Sequence, residues 1–262
     1  MSIPVFHIDA FTSKPFAGNP AAVCPLEAWL DDATLLSVAA ENNLSDTAFF
    51  VPRGDAYELR WFSPRSEVKL CGHATLASAY LILHFLAKEL DSVRFETRFR
   101  GILTVSRDGD GLSMDFPALP PWKCANPPEQ LLDGLGEAPE AVMQIEDNYF
   151  AVYPQVRDVR QIRPDFRLLE KLHPAGVAVT APGDSCDFVS RFFAPSYGVP
   201  EDPVTGSSHC SLAPYWAERL GKVKLHARQV SARGGELRCE IAGNRVILKG
   251  QAVLTLRGEL LI

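Results

Sequence analysis

The pattern of hydrophobic and polar positions along this chain of 262 residues consists of many short alternating segments and two long apolar segments. The first apolar segment, residues 74–90, has apolar side chains on nearly every face, which predicts a helix buried on all sides. The second, residues 207–220, also predicts a helix. Pro214 lies inside it, and a proline there either kinks a helix or marks its true start.

The short alternating segments predict β-strands, because successive side chains of a strand point to opposite faces. Asp31 and Asp32 can cap a further helix that runs to about residue 42. The turn Asp-Gly-Asp-Gly at residues 108–111 predicts a hairpin. The prolines between residues 117 and 128 predict a linker. Each half therefore combines several strands with one apolar helix, which predicts an α+β fold rather than regular β-α-β alternation.

Composition and charge exclude several classes of partner. Hydrophobic residues make up 47% of the chain and charged residues 22%, which is typical of a globular protein in water. A formal net charge of −6 argues against a nucleic-acid partner, because the phosphate backbone binds basic surfaces. The longest apolar stretch begins at residue 74, and at about 14 residues it is too short to cross a bilayer. We therefore expect neither a nucleic-acid partner nor a membrane partner.

The start of the sequence lacks the basic segment and apolar core of a secretion signal, so we expect a cytoplasmic protein. Its six cysteines are spread out and form no Cys-x-x-Cys pair, which predicts free thiols and gives no support to a metal site. Glycine-rich dinucleotide and Walker-type loops are absent from the sequence, so no nucleotide cofactor is expected.

One motif occurs twice along the chain. Residues 61–64, Trp-Phe-Ser-Pro, lead within a few residues to Cys71-Gly72-His73, and residues 192–195, Phe-Phe-Ala-Pro, lead to Thr205-Gly206-Ser207. A glycine at the start of a helix leaves unpaired backbone N–H groups facing a ligand. The repeat therefore predicts two half-sites that face one anion across a cleft. The alternative is that two unrelated turns share a glycine by chance.

Four polar residues are candidates for chemistry, and each also has an ordinary structural interpretation. His73 lies at an expected helix start, where the helix end would lower the pKa of its imidazole and it could act as a neutral donor or a proton carrier. Alternatively, its only role is a hydrogen bond that stabilises the structure. Asp46 and Asp202 could move protons or could serve as turn and cap residues. Asn19 has the sequence context of a turn. Individually, none of the four is decisive.

Together these residues fall in four ordered segments. The segments are Gly18-Asn19-Pro20-Ala21-Ala22-Val23 with residues 9–12, Asn43-Leu44-Ser45-Asp46-Thr47-Ala48-Phe49, Cys71-Gly72-His73-Ala74-Thr75, and Glu201-Asp202-Pro203-Val204-Thr205-Gly206-Ser207. In order and spacing the chain resembles the PhzF family, the phenazine-biosynthesis-like isomerases. Residues 233–237, Arg-Gly-Gly-Glu-Leu, are also similar to that family. The resemblance extends over essentially the whole sequence.

The resemblance implies a diaminopimelate-epimerase-like fold of two similar domains, each a barrel-like, mostly antiparallel sheet around a central apolar helix, with the site in the cleft between them. We expect the domains at residues 1–117 and 118–252, with a last strand at about 253–262 that returns to the first domain. It also implies a homodimer and an isomerase without a cofactor. Such enzymes move a proton between ring carbons of a dihydro-hydroxyanthranilate, which is a small carboxylic acid.

The resemblance also implies roles for single residues. Asp46 stands where the family has its acid/base glutamate, and His73 and Asp202 match its partner residues. The positions that line the site and hold the carboxylate are Asn19, Ser45, Gly72, Gly206 and Ser207. An aspartate is one methylene shorter than glutamate, which withdraws the carboxyl by roughly 1–1.5 Å, and misplacement of that order can cost about a hundredfold in rate. Three outcomes are open. The backbone sits closer to the substrate, the substrate is smaller or differently placed, or activity is weak or lost.

Two other functions stay open. A racemase or epimerase of the same fold group would need two cysteines facing each other, and Cys71 occupies the first thiol position. Aligning Gly72 with Gly206 places Thr205 at the second position, with Cys210 five residues further on inside the helix. This favours a packing role for Cys71. The second alternative, motivated by the shortened carboxylate of Asp46, is a non-catalytic protein that binds a small carboxylate or acts as a scaffold.

Overall fold

The computed structural model describes residues 2–146, 148–173 and 175–262. The chain forms two compact units: the first unit is Met1–Asp115 with Leu248–Ile262, and the second unit is Phe116–Ile247. The sequence predicted a boundary between the two domains after residue 117 and a return of the chain to the first domain at about residue 253. Among the described residues, no helix combines the length and the apolar character that a membrane span requires.

Both units consist mostly of short strands with a few helices between them. The chain begins with β1 (Ser2–Ala10), β2 (Asn19–Pro25), α1 (Asp32–Asn42), β3 (Asp46–Arg53), β4 (Ala56–Phe62), β5 (Glu67–Val68), α2 (Gly72–Leu81), β6 (Ser92–Thr97), β7 (Gly101–Asp108) and β8 (Gly111–Pro117). It continues with β9 (Trp122–Lys123), α3 (Glu129–Leu135), β10 (Ala141–Ile145), β11 (Asn148–Val152), α4 (Val156–Gln161), α5 (Phe166–Leu169), β12 (Val177–Pro182), β13 (Phe188–Ala194), β14 (Val199–Asp202), α6 (Gly206–Leu220), β15 (Lys224–Gln229), β16 (Gly235–Ala242), β17 (Arg245–Gly250) and β18 (Ala252–Leu261). The composition is α+β, as the sequence predicts.

The two units share one order of strand pairing. In the first unit β1 is antiparallel to β2, β2 parallel to β3, β3 antiparallel to β4, β4 parallel to β6 and β6 antiparallel to β7. In the second unit β10 is antiparallel to β11, β11 parallel to β12, β12 antiparallel to β13, β13 parallel to β15 and β15 antiparallel to β16. The shared order supports a duplication as the origin of the repeated motif. The last strand, β18, pairs antiparallel with β1 inside the first unit.

The apolar helix of the first unit is shorter than the sequence predicts. α2 is buried along most of its length and packs against β1, β2, β3 and β18, but it ends at Leu81 and continues as one π-helical turn, Ile82–Leu86. The predicted helix to residue 90 is therefore wrong at its C-terminal end. Carbonyl groups left without helical partners accept hydrogen bonds from the guanidinium of Arg107, which reaches Leu83, Lys88 and Leu90.

The apolar helix of the second unit runs through its proline. α6 begins at Gly206, so Pro214 does not mark its start. Because proline lacks an N–H group, the carbonyl oxygen of Cys210 loses its usual partner four residues on. The backbone N–H of Leu119 donates to that oxygen at 2.9 Å. A segment far away in the sequence thus compensates the break within α6.

Gly250 determines how closely the end of β17 approaches α2. A Cβ atom at Gly250 would lie 2.5 Å from a ring carbon of Phe11 and 3.4 Å from a methyl carbon of Leu76, which is part of α2. Phe11 is fully buried and has a φ of 62°, so its ring has little freedom to move away. The missing side chain at Gly250 is therefore a packing requirement of the first unit.

We predict that Gly250→Ala lowers the free energy of unfolding by about 1–3 kcal/mol, the usual cost of overpacking a core. Gly258→Ala is the matched control in the same unit, because its Cβ atom would meet its nearest neighbours at 3.8 Å, an ordinary contact. Urea denaturation of both variants and of the wild type measures the difference. Equal stability of the two variants would contradict the packing argument.

Candidate active site

Five polar side chains of the first unit come together at one edge of its sheet. Asn19 begins β2, Asp46 begins β3, and these parallel strands pair with Ala21 opposite Asp46. Parallel neighbours begin at the same sheet edge, so residues at the two strand starts lie close together. His73 belongs to the first turn of α2, which packs against both strands. Ser45 and Cys71 directly precede β3 and α2 and complete the cluster.

Backbone geometry places two of these residues. Asn43 ends α1 in a left-handed conformation, with a φ of 48°, and directs the chain into Ser45 and Asp46. Gly18 has a φ of 66°, and a Cβ atom there would lie only 2.2 Å from the carbonyl oxygen of Ala10. Only glycine fits this position directly before Asn19.

Asn19, Ser45 and His73 form a closed set of hydrogen bonds. The Nδ2 atom of Asn19 lies 3.2 Å from Nδ1 of His73, the Oγ atom of Ser45 lies 3.3 Å from Nε2 of His73, and Ser45 donates to Oδ1 of Asn19 at 3.1 Å. One assignment satisfies all three contacts. The amide of Asn19 donates to Nδ1, the N–H at Nε2 donates to Ser45, and the hydroxyl of Ser45 donates back to Asn19. This arrangement requires a neutral imidazole.

Burial maintains that neutral state. His73 is 5% exposed, and loss of hydration lowers the pKa of its imidazole to about 3. The lowered pKa agrees in direction with the expectation from the sequence, but its cause is burial rather than the helix end. His73 is therefore a fixed, uncharged hydrogen-bonding group at neutral pH.

Asp46 lies against the same imidazole and against a thiol. The Sγ atom of Cys71 donates to Oδ2 of Asp46 at 3.1 Å, and Nε2 of His73 is 3.8 Å from the same oxygen. The side chain of Asp46 is 14% exposed. Cys71 is thus a polar partner of the carboxylate, whereas sequence reasoning assigned it a packing role. The contact joins residues 25 positions apart, which no local pattern could have shown.

A second polar cluster lies at the start of α6 in the second unit. The hydroxyl of Thr205 donates to Oδ2 of Asp202 at 2.5 Å. The side chain of buried Gln229 accepts from the backbone N–H of Thr205 at 2.8 Å and donates to the carbonyl of Asp202 at 2.7 Å. Gly206 is buried in the first turn of α6, and Ser207, next to it, is exposed. Sequence reasoning missed Gln229, whose only signal is a polar residue in the alternating register of Leu225 and Ala227, the other buried positions of β15.

The structure does not support a mechanism with two thiols. Thr205 precedes Gly206 at the start of α6 as Cys71 precedes Gly72 at the start of α2, so a hydroxyl stands at the equivalent position. The next candidate, Cys210, is buried inside α6, and burial raises the pKa of its thiol to about 12. A thiol with this pKa supplies almost no reactive thiolate at neutral pH.

Comparison with known proteins identifies the family of this chain. The fold is that of the diaminopimelate-epimerase-like proteins, and a hydroxyproline epimerase from Agrobacterium vitis shares it at a TM-score of 0.65 and 12% identity over 99% of this chain and 92% of that one. Residues 8–258 match the model of the family described as phenazine biosynthesis-like protein. The chain belongs to this family, which confirms the resemblance found in the sequence.

The relatives cover the whole chain. A Pseudomonas aeruginosa protein described as an uncharacterized isomerase is 52% identical over 99% of both chains, and a Halalkalibacterium halodurans protein with the same description is 45% identical over 100% of both. The crystal structure of a PhzF family phenazine biosynthesis protein from Enterococcus faecalis has 42% identity and a TM-score of 0.95, with 100% of both chains covered. These comparisons support an isomerase-like function.

The buried neutral imidazole predicts a pH dependence of stability. In the unfolded chain His73 has an ordinary pKa of 6.5, whereas in the folded protein it is about 3, so the unfolded state binds more protons between these values. The contribution of His73 to the free energy of unfolding is therefore fully present above pH 6.5 and decreases as the pH falls toward 3.

We expect His73→Gln to remove about 2 kcal/mol of the difference in unfolding free energy between pH 7 and pH 5. Urea denaturation at both pH values measures this, with His84→Gln as the control for loss of an imidazole outside the cluster. Unchanged pH dependence in His73→Gln would refute the assignment.

The amide of Gln229 predicts a structural requirement of the second unit. Gln229→Met keeps the approximate volume but removes the partners of the Thr205 N–H and the Asp202 carbonyl. We expect a loss of about 1–3 kcal/mol, because buried polar groups then lack hydrogen bonds. Exposed Gln161→Met is the control. Thermal unfolding distinguishes the two, and a Gln229→Met variant as stable as the control would refute the role of this amide.

Proposed function

We propose that the protein is a cofactor-independent isomerase that moves a proton on a small carboxylic acid, with the carboxylate of Asp46 as the proton carrier. The observation that carries the proposal is the position of Asp46, whose Oδ2 atom lies between the thiol of Cys71 and the imidazole of His73. A carboxylate whose side chain is mostly buried but still 14% exposed can reach a substrate while its contacts with protein groups hold it in place.

The chemistry needs no electron acceptor. A C–H bond of the substrate breaks, its proton bonds to the carboxylate of Asp46, and the electron pair delocalises into the conjugated system of the substrate. The O–H bond then breaks and the proton returns at a different carbon. The substrate keeps its oxidation level, so a proton carrier alone suffices. The thiol of Cys71 can shorten its hydrogen bond when Asp46 is charged and lengthen it when Asp46 is protonated.

The neutral imidazole of His73 contributes position and polarity. Its Nε2 atom carries a proton and faces both Ser45 and the carboxylate of Asp46. Because the imidazole stays uncharged, it does not hold Asp46 permanently as a strong ion pair, which would weaken the carboxylate as a base. Asn19 and Ser45 fix the ring in this orientation.

The remaining residues are proposed as binding positions. Gly72 begins α2, and Gly206 and Ser207 begin α6, and each helix start offers backbone N–H groups that favour an anion such as a carboxylate. Asp202, fixed by Thr205, is proposed as a further polar partner of the substrate. The small-carboxylate partner and the homodimer stay predictions.

The side chain of Asp46 is shorter than the glutamate that the family has at this position. This difference leaves one alternative, a protein that binds a carboxylate without turnover. The two functions differ in whether a carbon-bound hydrogen exchanges with solvent. Binding alone leaves every C–H bond of the ligand intact. A measurement of hydrogen exchange therefore separates them.

We predict that wild-type protein incubated with dihydro-hydroxyanthranilate in D₂O introduces deuterium at a ring carbon, observed by proton NMR. Asp46→Asn removes the base but keeps the size, so the exchange rate falls at least about a hundredfold. Asp55→Asn is the control, because Asp55 is an exposed carboxylate of the same unit whose side chain is 84% exposed. Binding of the ligand without exchange in the wild type would favour the non-catalytic alternative. Exchange that survives in Asp46→Asn would exclude Asp46 as the carrier.

A further inference from the structure

A row of polar side chains crosses the buried interface between α6 and the sheet of the second unit. Thr180, Ser190 and Gln229 are paired in register on β12, β13 and β15, so their side chains lie on the same face of the sheet. α6 covers this face, because Thr180 accepts a hydrogen bond from Nε1 of Trp216, and Gln229 binds the backbone of Thr205. The three side chains of the row are at most 1% exposed. The core of the second unit therefore contains a polar layer.

His209 faces this layer from the helix. It lies four residues after Thr205 and seven before Trp216, and these spacings put the three side chains on one face of α6. The imidazole is fully buried, and its ring centroid is 5.7 Å from that of Phe188. Phe188 is two residues before Ser190, so both side chains lie on the same face of β13. His209 therefore faces the part of β13 that carries Ser190.

Two buried polar atoms of this interface need a partner. Nδ1 of His209 lies 2.8 Å from the carbonyl oxygen of Thr205, and a carbonyl only accepts, so Nδ1 carries the proton and Nε2 presents a lone pair. Burial lowers the pKa of this imidazole to about 4, so the ring is neutral at neutral pH. Within the part of the chain that the structure describes, neither Nε2 of His209 nor Oγ of Ser190 has a hydrogen-bond partner. Buried polar atoms are nearly always paired in native proteins, so Nε2 requires a donor.

The first unit has a different solution at the equivalent positions. Aligning the repeated motif of the two units places Leu59 at the position of Ser190. Aligning the starts of α2 and α6 places Thr75 at the position of His209. Leu59 is 1% exposed, and the hydroxyl of Thr75 donates to the carbonyl oxygen of Cys71 at 2.6 Å. An apolar side chain and a short hydroxyl thus suffice for the packing of this topology, so packing alone does not require the polar pair of the second unit.

We propose that Ser190 and His209 bind one internal water molecule between α6 and the sheet, and that this water makes His209 a positioning residue for the start of α6. The water donates to Nε2 of His209 and accepts from the hydroxyl of Ser190. Internal waters typically make about three hydrogen bonds. The hydroxyl of Thr180 donates to Val189 and accepts from Trp216, which leaves one lone pair for the second O–H of the water.

The water determines which nitrogen of His209 carries the proton. With a donor at Nε2, the proton stays on Nδ1 and holds the carbonyl of Thr205, whose hydroxyl in turn donates to Asp202. Without that donor, the buried lone pair of Nε2 is unpaired, which favours a turn of the ring or the other tautomer and releases Thr205. The consequence for the reaction rests on the proposed binding role of the start of α6, whereas the water site does not.

Nitrogen NMR of the histidine rings in the full chain tests the water. A ring nitrogen that accepts a hydrogen bond resonates upfield of one without a partner. We expect one tautomer of His209, with its proton on Nδ1 and an upfield-shifted Nε2. Ser190→Leu introduces the residue of the first unit and fills the space of the water, so Nε2 should shift downfield. Ser78→Ala is the matched control, because Ser78 is a buried serine of the first unit, and it should leave the resonances of His209 unchanged.

A crystal structure of the wild type separates a water from a direct bond between the two side chains. We expect electron density for one water within about 3.2 Å of both Nε2 of His209 and Oγ of Ser190. A direct hydrogen bond between these atoms, a proton on Nε2, or an Nε2 resonance typical of an unpaired nitrogen would overturn the water site.

A double variant keeps the test valid if Ser190→Leu alone folds poorly. Ser190→Leu with His209→Thr reproduces the pair that the first unit has. Each single change should lower Tm by about 3–8 °C, through an unpaired nitrogen or a cavity, and the double variant should recover part of the loss because the two residues share one space. Strictly additive losses would show that the two side chains do not share a site.

The deuterium exchange assay tests the positioning role. The proposed proton carrier belongs to the first unit, so Ser190→Leu should raise KM at least about threefold and leave kcat nearly unchanged. Ser190→Thr keeps the hydroxyl and should restore the KM of the wild type. An unchanged KM in Ser190→Leu would overturn the positioning role. If the wild type shows no exchange at all, the proposed isomerase function fails, and the NMR spectrum and the electron density still decide the water site.

Discussion

The burial of one neutral imidazole is the constraint on which the candidate site depends. His73 has almost no contact with water, so its charged form is strongly disfavoured and both ring nitrogens require partners from the protein. Asn19 and Ser45 provide them, and they can do so only because β2 and β3 begin beside the first turn of α2. The same strand starts place Asp46. The arrangement of strands that gives the ring nitrogens of His73 their hydrogen-bond partners therefore also positions the carboxylate of Asp46.

The two units show how one topology accommodates different chemistry. Each has the same order of strand pairings and an apolar helix that begins at a glycine. The residue before that glycine is Cys71 in the first unit and Thr205 in the second, and each contacts an aspartate. A thiol can lose its proton far more readily than a hydroxyl, which remains a hydrogen-bond donor. The chemistry of the contact at each helix start therefore differs through one side chain.

Sequence reasoning succeeded where structure is decided locally. The cap at Asp31 and the hairpin at residues 108–111 depend on neighbouring residues, and both occur in the structure. The end of α2 and the course of α6 through Pro214 depend instead on Arg107 and Leu119, which are remote in sequence. The resemblance to the family identified Asn19, Ser45, Asp46 and His73 as a group, but it carried no information on the thiol that touches the carboxylate. Contacts of that kind follow from the fold rather than from spacing.

The contact between Cys71 and Asp46 couples the protonation of a thiol to that of a carboxylate. While the thiol keeps its proton, it donates to the carboxylate and leaves Asp46 able to accept a proton from a substrate. Without that proton, two anionic groups would lie 3.1 Å apart, which is a costly arrangement in a mostly buried cluster. The S–H bond is therefore the form of this contact in which Asp46 can act as the proposed proton carrier.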